Sequence, residues 1–404
     1  MRTSNLNRLL RHTAPHRFLL LCLPFTASCS EGSETEPCAG LPTRTVLVYL
    51  AGDNNLEEIG RTPELLRQGW KDTGSKCLIY YDAPQAAPKL FALTIRHSDA
   101  SSVLETVEEY PEENSSSAGV FGRVVADVVR KYPSDSYGLI FASHGSGWLP
   151  CGALSDPTRT IGDDRTPGTT GGAREMEITD FAAAIPDHQF DFIIFEACLM
   201  SGIEVAYELR NKTDYLLASS AELLVPGYAP VYPTAFQYLF DTSLGVPQAL
   251  EKFAGSYFNY IDTRNGAYRS ATQSIVYTRE MDALAILAGK TTGNTHGRWD
   301  DALLGKLQHF DRPGSYGDIP ARPRYFDFGQ YMAYLAPERQ ADLDALLRKT
   351  VVWKAATPEF MAGYNGFTIL THSGLTTYIE QDEFPELNAA YKKTAWWKAT
   401  HVQK

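Results

Sequence analysis

Short, continuously apolar runs alternate along this chain with longer stretches that carry apolar residues at helical spacing. Residues 45–51 read Thr-Val-Leu-Val-Tyr-Leu-Ala and stop at Gly52-Asp53-Asn54-Asn55. A β-branched and aromatic run of this length, closed by turn formers, predicts a buried strand followed by a turn. Residues 76–82, Tyr137 to Ala142, Phe190 to Phe195 and Tyr215 to Ala218 read the same way. Residues 90–97 and 103–110 alternate and predict an edge hairpin. Between the runs, Val120, Phe121, Val124, Val125, Val128 and Val129 mark one face of a helix over 118–131. Further helices are predicted near 177–185 and over 201–212, and the Gly-, Thr-, Asp-, Pro- and Arg-rich segment 149–175 predicts a long exposed loop. Buried strands alternating with helices imply an α/β fold: a largely parallel sheet with helices on both faces. In such sheets, functional groups gather at the carboxyl ends of the strands.

From about residue 232 the pattern changes. Helices are predicted at 247–261, 279–290, 297–309 and 337–350, interrupted by strand-like runs at 271–278 and 366–371. A boundary near 235 therefore separates an α/β domain, 45–235, from a mostly helical part, 236–404. That part either extends the same sheet or packs on it.

Hydrophobic residues make up 44% of the 404 and charged residues 21%, which excludes disorder over the whole length. The net charge of −11 and the lack of any basic stripe exclude nucleic-acid binding through a basic face. Six cysteines without CxxC pairs fit neither a disulfide scaffold nor a zinc ribbon.

The first 28 residues hold Arg2, Arg8, Arg11 and Arg17, no acid, and an apolar run from Phe18 to Phe25. That run is far shorter than the ~20 residues of a membrane-spanning helix. With Thr26-Ala27-Ser28-Cys29 behind it, the segment predicts an export signal over 1–28. The last four residues resemble a relaxed lipobox, with Thr26 where Leu is usual, in which Cys29 becomes the lipidated first residue. The alternative is a plain secretory signal. Residues 29–44 follow as an acidic tether, which resembles the export tag of surface lipoproteins. The expected location is the outer membrane or cell surface, with a periplasmic or secreted protein as the alternative. Removing 1–28 takes away four Arg and no acid, moving the net charge from −11 to −15. Attachment to a membrane would then rest on acyl chains rather than on surface charge. Export permits disulfides. A Cys38–Cys77 bridge and buried free thiols are the two readings for Cys38, Cys77 and Cys151.

The chemistry is concentrated at two strand ends. One reads Phe141-Ala142-Ser143-His144-Gly145-Ser146-Gly147-Trp148, the other Phe195-Glu196-Ala197-Cys198-Leu199-Met200-Ser201-Gly202. On neighbouring parallel strands, His144 and Cys198 would stand side by side. A thiol is weakly ionised near neutral pH, so an imidazole or a helix N-terminus beside it favours the nucleophilic thiolate. The helix expected over 201–212 would add to His144. Gly145 permits close backbone approach, and its N–H with that of Cys198 could face a developing oxyanion. No Asp or Asn third member is evident in the sequence, and the remaining histidines lack such surroundings.

An apolar strand ending in His-Gly, followed by one ending in an acid, Ala and Cys, resembles the caspase-type cysteine peptidases. VLVYLAGDNNLE, FASHGSGW, FEACLMSGIEVAYEL and DYLLASSAE, with weaker echoes in YFDFGQYMAYL and GLTTYIE, resemble the clostripain family over roughly 45–380. The resemblance implies a caspase-like sandwich, a Cys198–His144 dyad, peptide substrates and cleavage after basic residues. In the family an Asp usually stands two residues before the Cys and lines the pocket for the side chain preceding the scissile bond. Glu196 stands here, one methylene longer, and would favour Arg over Lys as a bidentate partner. Glu-Ala-Cys is also similar to the legumain-type pattern, which prefers Asn. Ser219, Ser220 and Glu222 are candidates for the opposite pocket wall. Arg159, Arg165 and Arg174 are candidate processing sites. The resemblance brings calcium into consideration, but Asp156, Asp163 and Asp164 lack EF-hand spacing, so no metal site is read. A second function class is a catalytically weak surface lipoprotein that keeps the fold as a binding module.

Overall fold

The computed structural model describes residues 43–154, 161–165, 175–292, 301–315 and 321–401. Strands β1 (Arg44–Ala51), β2 (Lys76–Asp82), β3 (Lys89–Ile95), β4 (Ser102–Glu109), β5 (Ser136–Ala142), β6 (Phe190–Glu196), β7 (Thr213–Ala218) and β8 (Thr272–Tyr277) join one sheet. A two-residue β9 (Phe326–Asp327) pairs separately with Thr376–Thr377, and β10 (Val351–Ala356) completes the large sheet. Its order is β10-β8-β7-β6-β5-β1-β2-β3-β4. The centre, β2-β1-β5-β6-β7, is parallel. Both wings, β3-β4 and β8-β10, are antiparallel.

Period-two alternation divides the core between the two faces of the sheet. Val46, Val48 and Leu50 of β1 join Ile140 and Phe192 on one face. There they meet α1 (Thr62–Gly69), α5 (Tyr232–Ala235) and α6 (Val246–Asp262) through Leu66, Tyr232, Phe253 and Tyr257. Leu47 and Tyr49 point the other way, toward α2 (Ala118–Lys131), α3 (Ile178–Ala183), α4 (Ile203–Glu208) and α7 (Met281–Thr292). On this face the cross-strand partners Tyr80, Tyr49, Phe141 and Phe195 form an aromatic row across β2, β1, β5 and β6. Tyr49 stacks on Tyr80 at 4.4 Å and on Phe141 at 5.4 Å between ring centroids. A slip of one residue would turn these rings to the opposite face, so the row fixes the register of the central strands.

The sheet continues beyond residue 235 through β8 and β10. The strand-like run at 366–371 contributes only Phe367–Thr368, paired with Glu359–Phe360 outside the large sheet. Val351–Ala356, directly after the helix Gln340–Thr350, supplies the edge strand instead. Of the segment expected as an exposed loop, Ile161, Asp163 and Asp164 are buried, because Ile161 packs into the core and bridges Gly145 and Met176. Cys77 is a free thiol in the core, 1% exposed, as the buried-thiol reading has it; Cys38 lies outside the described residues.

Gly138 of β5 faces the Phe192 ring so closely that an added Cβ would overlap it. Gly138→Ala should therefore cost about 1–3 kcal/mol of stability through overpacking. The check is a lower urea midpoint with an unchanged slope; an unchanged midpoint would mean the ring moves aside freely.

Candidate active site

The order β2-β1-β5-β6 places the topological switch between β1 and β5, and the chain segments leaving β1, β5 and β6 meet there. β5 and β6 pair in parallel with Ala142 opposite Glu196. The Ser143 N–H donates to the Glu196 carbonyl at 3.3 Å and carries the ladder one step further. His144 and Cys198 lie two residues beyond that last pair, so they leave the sheet in step. Both line one cleft, with Glu196 on its wall and Leu56, Val225 and Gly227 around it. His144 is 5% exposed and Cys198 half-buried. The Cys198 Sγ lies 3.9 Å from the Leu223 carbonyl oxygen.

The backbone around the thiol is tightly specified. A Cβ on Gly145 would come within 2.7 Å of the Cys198 carbonyl oxygen and 2.9 Å of the Ala197 Cβ, so only glycine fits. Leu199 takes φ +61°, a left-handed conformation that bulky residues rarely adopt. Its N–H donates to the Ala221 carbonyl at 2.9 Å, and its side chain is buried, which holds the turn. The helix expected over 201–212 is shorter: α4 spans Ile203–Glu208 and begins five residues past Cys198. The thiol shares its cleft with the His144 imidazole, and no long helix starts at it.

Behind His144, three segments are riveted together. The Asn54 Nδ2 donates to Ala51 O at 2.7 Å, to Asp163 O at 3.0 Å and to Ser143 Oγ at 3.3 Å. The Ser143 hydroxyl donates to Ala51 O at 3.0 Å, and Gly162 N donates to His144 O at 3.0 Å. The turn so fixed carries Asn55, whose Oδ1 lies 2.7 Å from His144 Nε2. By local pattern Gly52-Asp53-Asn54-Asn55 is only a turn. The pair of amides at the carboxyl end of a central strand was the signal that could have found Asn55.

Glu196 sits at the bottom of the cleft wall. The Tyr228 N–H donates to its Oε1 at 2.7 Å, and the Tyr232 hydroxyl donates to its Oε2. Gly227, at φ +60°, passes so close that any Cβ would overlap Oε1. Burial raises the carboxyl pKa from 4.5 to about 7, against the two donors, which lower it.

The other sequence candidates lie elsewhere. Ser219 Oγ is 2.9 Å from Thr272 Oγ1, and Ser220 Oγ is 3.1 Å from His372 Nε2, both buried. Glu222 pairs with Arg312 at 2.7 Å. None of the three lines the cleft, whose opposite wall is built from Leu223 and Val225 to Gly227. Arg165 lies behind the site, its N–H on Asp53 O at 2.8 Å and its guanidinium 3.4 Å from Asp163. Arg159, Arg174 and Cys29 lie outside the described residues, as does Asp156. Asp164 is buried and accepts from the Ser115 N–H at 2.5 Å. Among the described residues no group of three or more His, Cys, Asp or Glu is arranged to hold a metal ion.

A carboxyl whose folded pKa is raised binds its proton more tightly in the folded chain. Its contribution is fully present below pH 4.5 and is lost as pH rises through about 7. Wild type should therefore lose stability relative to Glu196→Gln across that window, as read from urea midpoints at pH 4.5 and 8. A constant difference between the two proteins would show that the site does not depress ionisation of Glu196.

Comparison with known proteins agrees with this arrangement. A family model described as the clostripain family matches residues 48–287. Clostripain of Hathewaya histolytica is 26% identical over 290 residues, covering 64% of this chain. The match spans 52% of that protein, about half its length. An inactive zymogen C11 protease from Parabacteroides distasonis has an X-ray structure similar to this one, with TM-score 0.72 and 29% identity over 89% of this chain and 98% of that one. A secreted C11 cysteine protease from Bacteroides thetaiotaomicron, solved with an irreversible peptide inhibitor, gives TM-score 0.74 and 26% identity over 88% and 98%. These likenesses bear out the caspase-like α/β sandwich expected from the two strand-end motifs. With the family model covering more than half of the chain, from the second half of β1 through most of α7, the protein belongs to the clostripain family.

Proposed function

We propose that this protein is a cysteine endopeptidase in which Cys198 is the nucleophile and His144 the base. The observation that carries the reading is the in-register exit of both residues from β5 and β6 into one cleft, with a carboxyl group on the cleft wall. The Cys198 sulfur attacks the peptide carbonyl carbon while the imidazole takes the thiol proton. The carbonyl oxygen gains negative charge, and the N–H groups of Gly145 and Cys198 stabilise it. Collapse breaks the C–N bond, the imidazolium gives its proton to the leaving amine, and a thioester remains. Water, deprotonated by the same imidazole, hydrolyses the thioester and restores the thiol. Cys198→Ala and His144→Ala should each lower peptide cleavage by several orders of magnitude, because the two act as a unit. Near-wild-type activity in either variant would refute the assignment.

The substrate pocket selects the residue before the scissile bond through Glu196. Each of its oxygens already accepts one hydrogen bond from Tyr228 or Tyr232, which aims the carboxyl group and leaves a second lone pair on each. An entering guanidinium can take both in parallel and hold the group ionised, whereas an ammonium offers only a point charge. Arg is therefore preferred over Lys. Glu196→Ala should lose ~2–5 kcal/mol of binding to Arg substrates, the cost of a desolvated charge without its partner. Labelling of the thiol by small alkylators should persist in that variant. A second reading is favoured by the raised pKa of Glu196 and the apolar side chains of Leu56, Ile59 and Leu223 in the cleft. In that reading the carboxyl is a structural hydrogen-bond acceptor and the pocket takes an uncharged side chain. A fluorogenic peptide library varying this position, run on wild type and Cys198→Ala, decides between them.

The location proposed is the cell envelope, through acyl chains on Cys29 after cleavage behind Ser28. It is supported by the basic start, the short apolar run and the acidic residues 30–37. A fatty-acid analogue fed to cells should label the wild type and not Cys29→Ala. An unlabelled mature wild-type protein starting at another residue would overturn the proposal.

A further inference from the structure

We infer that Asn55 is a positioning residue for the dyad, fixing which imidazole nitrogen faces the thiol; this rests on the peptidase reading above. The amide oxygen of Asn55 lies 2.7 Å from His144 Nε2. An amide oxygen only accepts, so the hydrogen bond puts a proton on Nε2. In the neutral ring the lone pair is then on Nδ1, the one nitrogen left to take the proton of Cys198. Once that proton arrives, the imidazolium keeps the same partner, and the bond to Asn55 strengthens because its donor is charged. The arrangement parallels a general rule of nucleophile–base pairs, in which a third group orients the base and sets its tautomer. Here the third group is a neutral amide rather than a carboxylate.

The surrounding structure supports the assignment. Asn54, the preceding residue, is buried and makes its contacts inward, to Ala51, Ser143 and Asp163. Its Oδ1 accepts from the Leu56 N–H at 2.8 Å, which bridges the backbone across Asn55. Asn55 is thus held between two anchored residues, with its side chain on the ring. Ser143, the residue before the histidine, hangs on the same Asn54 amide, so both ends of the Asn55–His144 bond belong to one rigid unit. Ionisable groups that line the cleft with His144 are Cys198 and Glu196 from the end of β6 and Glu58 from the segment after β1; Asp163, paired with Arg165, follows Gly162, whose N–H donates to the His144 carbonyl. The amide oxygen of Asn55, 2.7 Å from Nε2, supplies the local control of that nitrogen.

The test uses the full chain with Asn55→Ala and Asn55→Asp. Loss of the acceptor frees the ring to take the other tautomer, so Asn55→Ala should lower kcat by roughly one to two orders of magnitude with little change in KM. Asn55→Asp keeps an acceptor in place and adds a negative charge. That charge favours every protonated form of the coupled pair, so both limbs of the pH profile of kcat/KM should move to higher pH. At the shifted optimum, Asn55→Asp should recover activity relative to Asn55→Ala. The pH dependence of Cys198 alkylation by iodoacetamide should shift in the same direction, and this readout needs no peptide cleavage. A merely structural asparagine would lower thermal stability and leave both pH profiles where they are. Wild-type kcat in Asn55→Ala, or unshifted profiles in Asn55→Asp, would overturn the inference. If the wild type cleaves no peptide, the peptidase reading fails, and the alkylation profile alone decides the role of Asn55.

Discussion

The parallel register between β5 and β6 is the constraint on which the site depends. Ala142 faces Glu196, and everything chemical follows by counting two residues along each strand. A slip of one residue would turn the strand's side chains over and separate His144 from Cys198. The register is held by the aromatic row Tyr80, Tyr49, Phe141 and Phe195, whose members are cross-strand neighbours on one face. It is held on the other face by Gly138, which accommodates the Phe192 ring where a larger residue would clash. Core packing and catalytic geometry are therefore one problem in this fold, since the same pairing that buries the rings aligns the strand ends.

Around that alignment the chain accepts unfavourable local choices. Leu199 occupies a left-handed conformation directly after the thiol, and Gly145 and Gly227 stand where any side chain would strike Cys198 or Glu196. Glu196 is half-buried, and the hydrogen bonds to its carboxyl come from Tyr228 and Tyr232 rather than from a base. Such features are costly unless the surroundings over-determine them, and here they cluster at a single cleft.

The two wings of the sheet frame this centre differently. The β3-β4 hairpin forms an outer edge as its sequence pattern predicts, but its exposure does not alternate: β3 buries only Leu90 and Leu93, and no residue of β4 is buried. The β8-β10 wing comes from the later part of the chain, pairs Ser274 with Ala218 at the end of β7 and brings Thr272 against Ser219 just after it. Ser219 bonds to Thr272 and Ser220 to His372, and the cleft wall is built instead from Leu223 and Val225 to Gly227.

The sequence by itself determined the central strands, the layer order and the two strand-end motifs. Continuous apolar runs such as 46–51 and 192–195 can be satisfied only between two layers of helix, and local pattern reports that directly. It also placed His144 and Cys198 at equivalent points, because a motif at the end of a buried strand has few places to go. Only the tertiary structure decided what touches them. Asn55 reaches His144 because β1 lies beside β5, a neighbour 89 residues away that no local pattern encodes. Burial of Ile161 and of Asp163 follows from packing behind the histidine, although their segment is polar and rich in turn formers. The extent of α4, the strand at Val351–Ala356 and the partners of Glu222 depend on the same kind of long-range contact. Periodicity reads the environment of a segment's faces, whereas side-chain pairing across the sheet edge is set by which distant segments the sheet brings together.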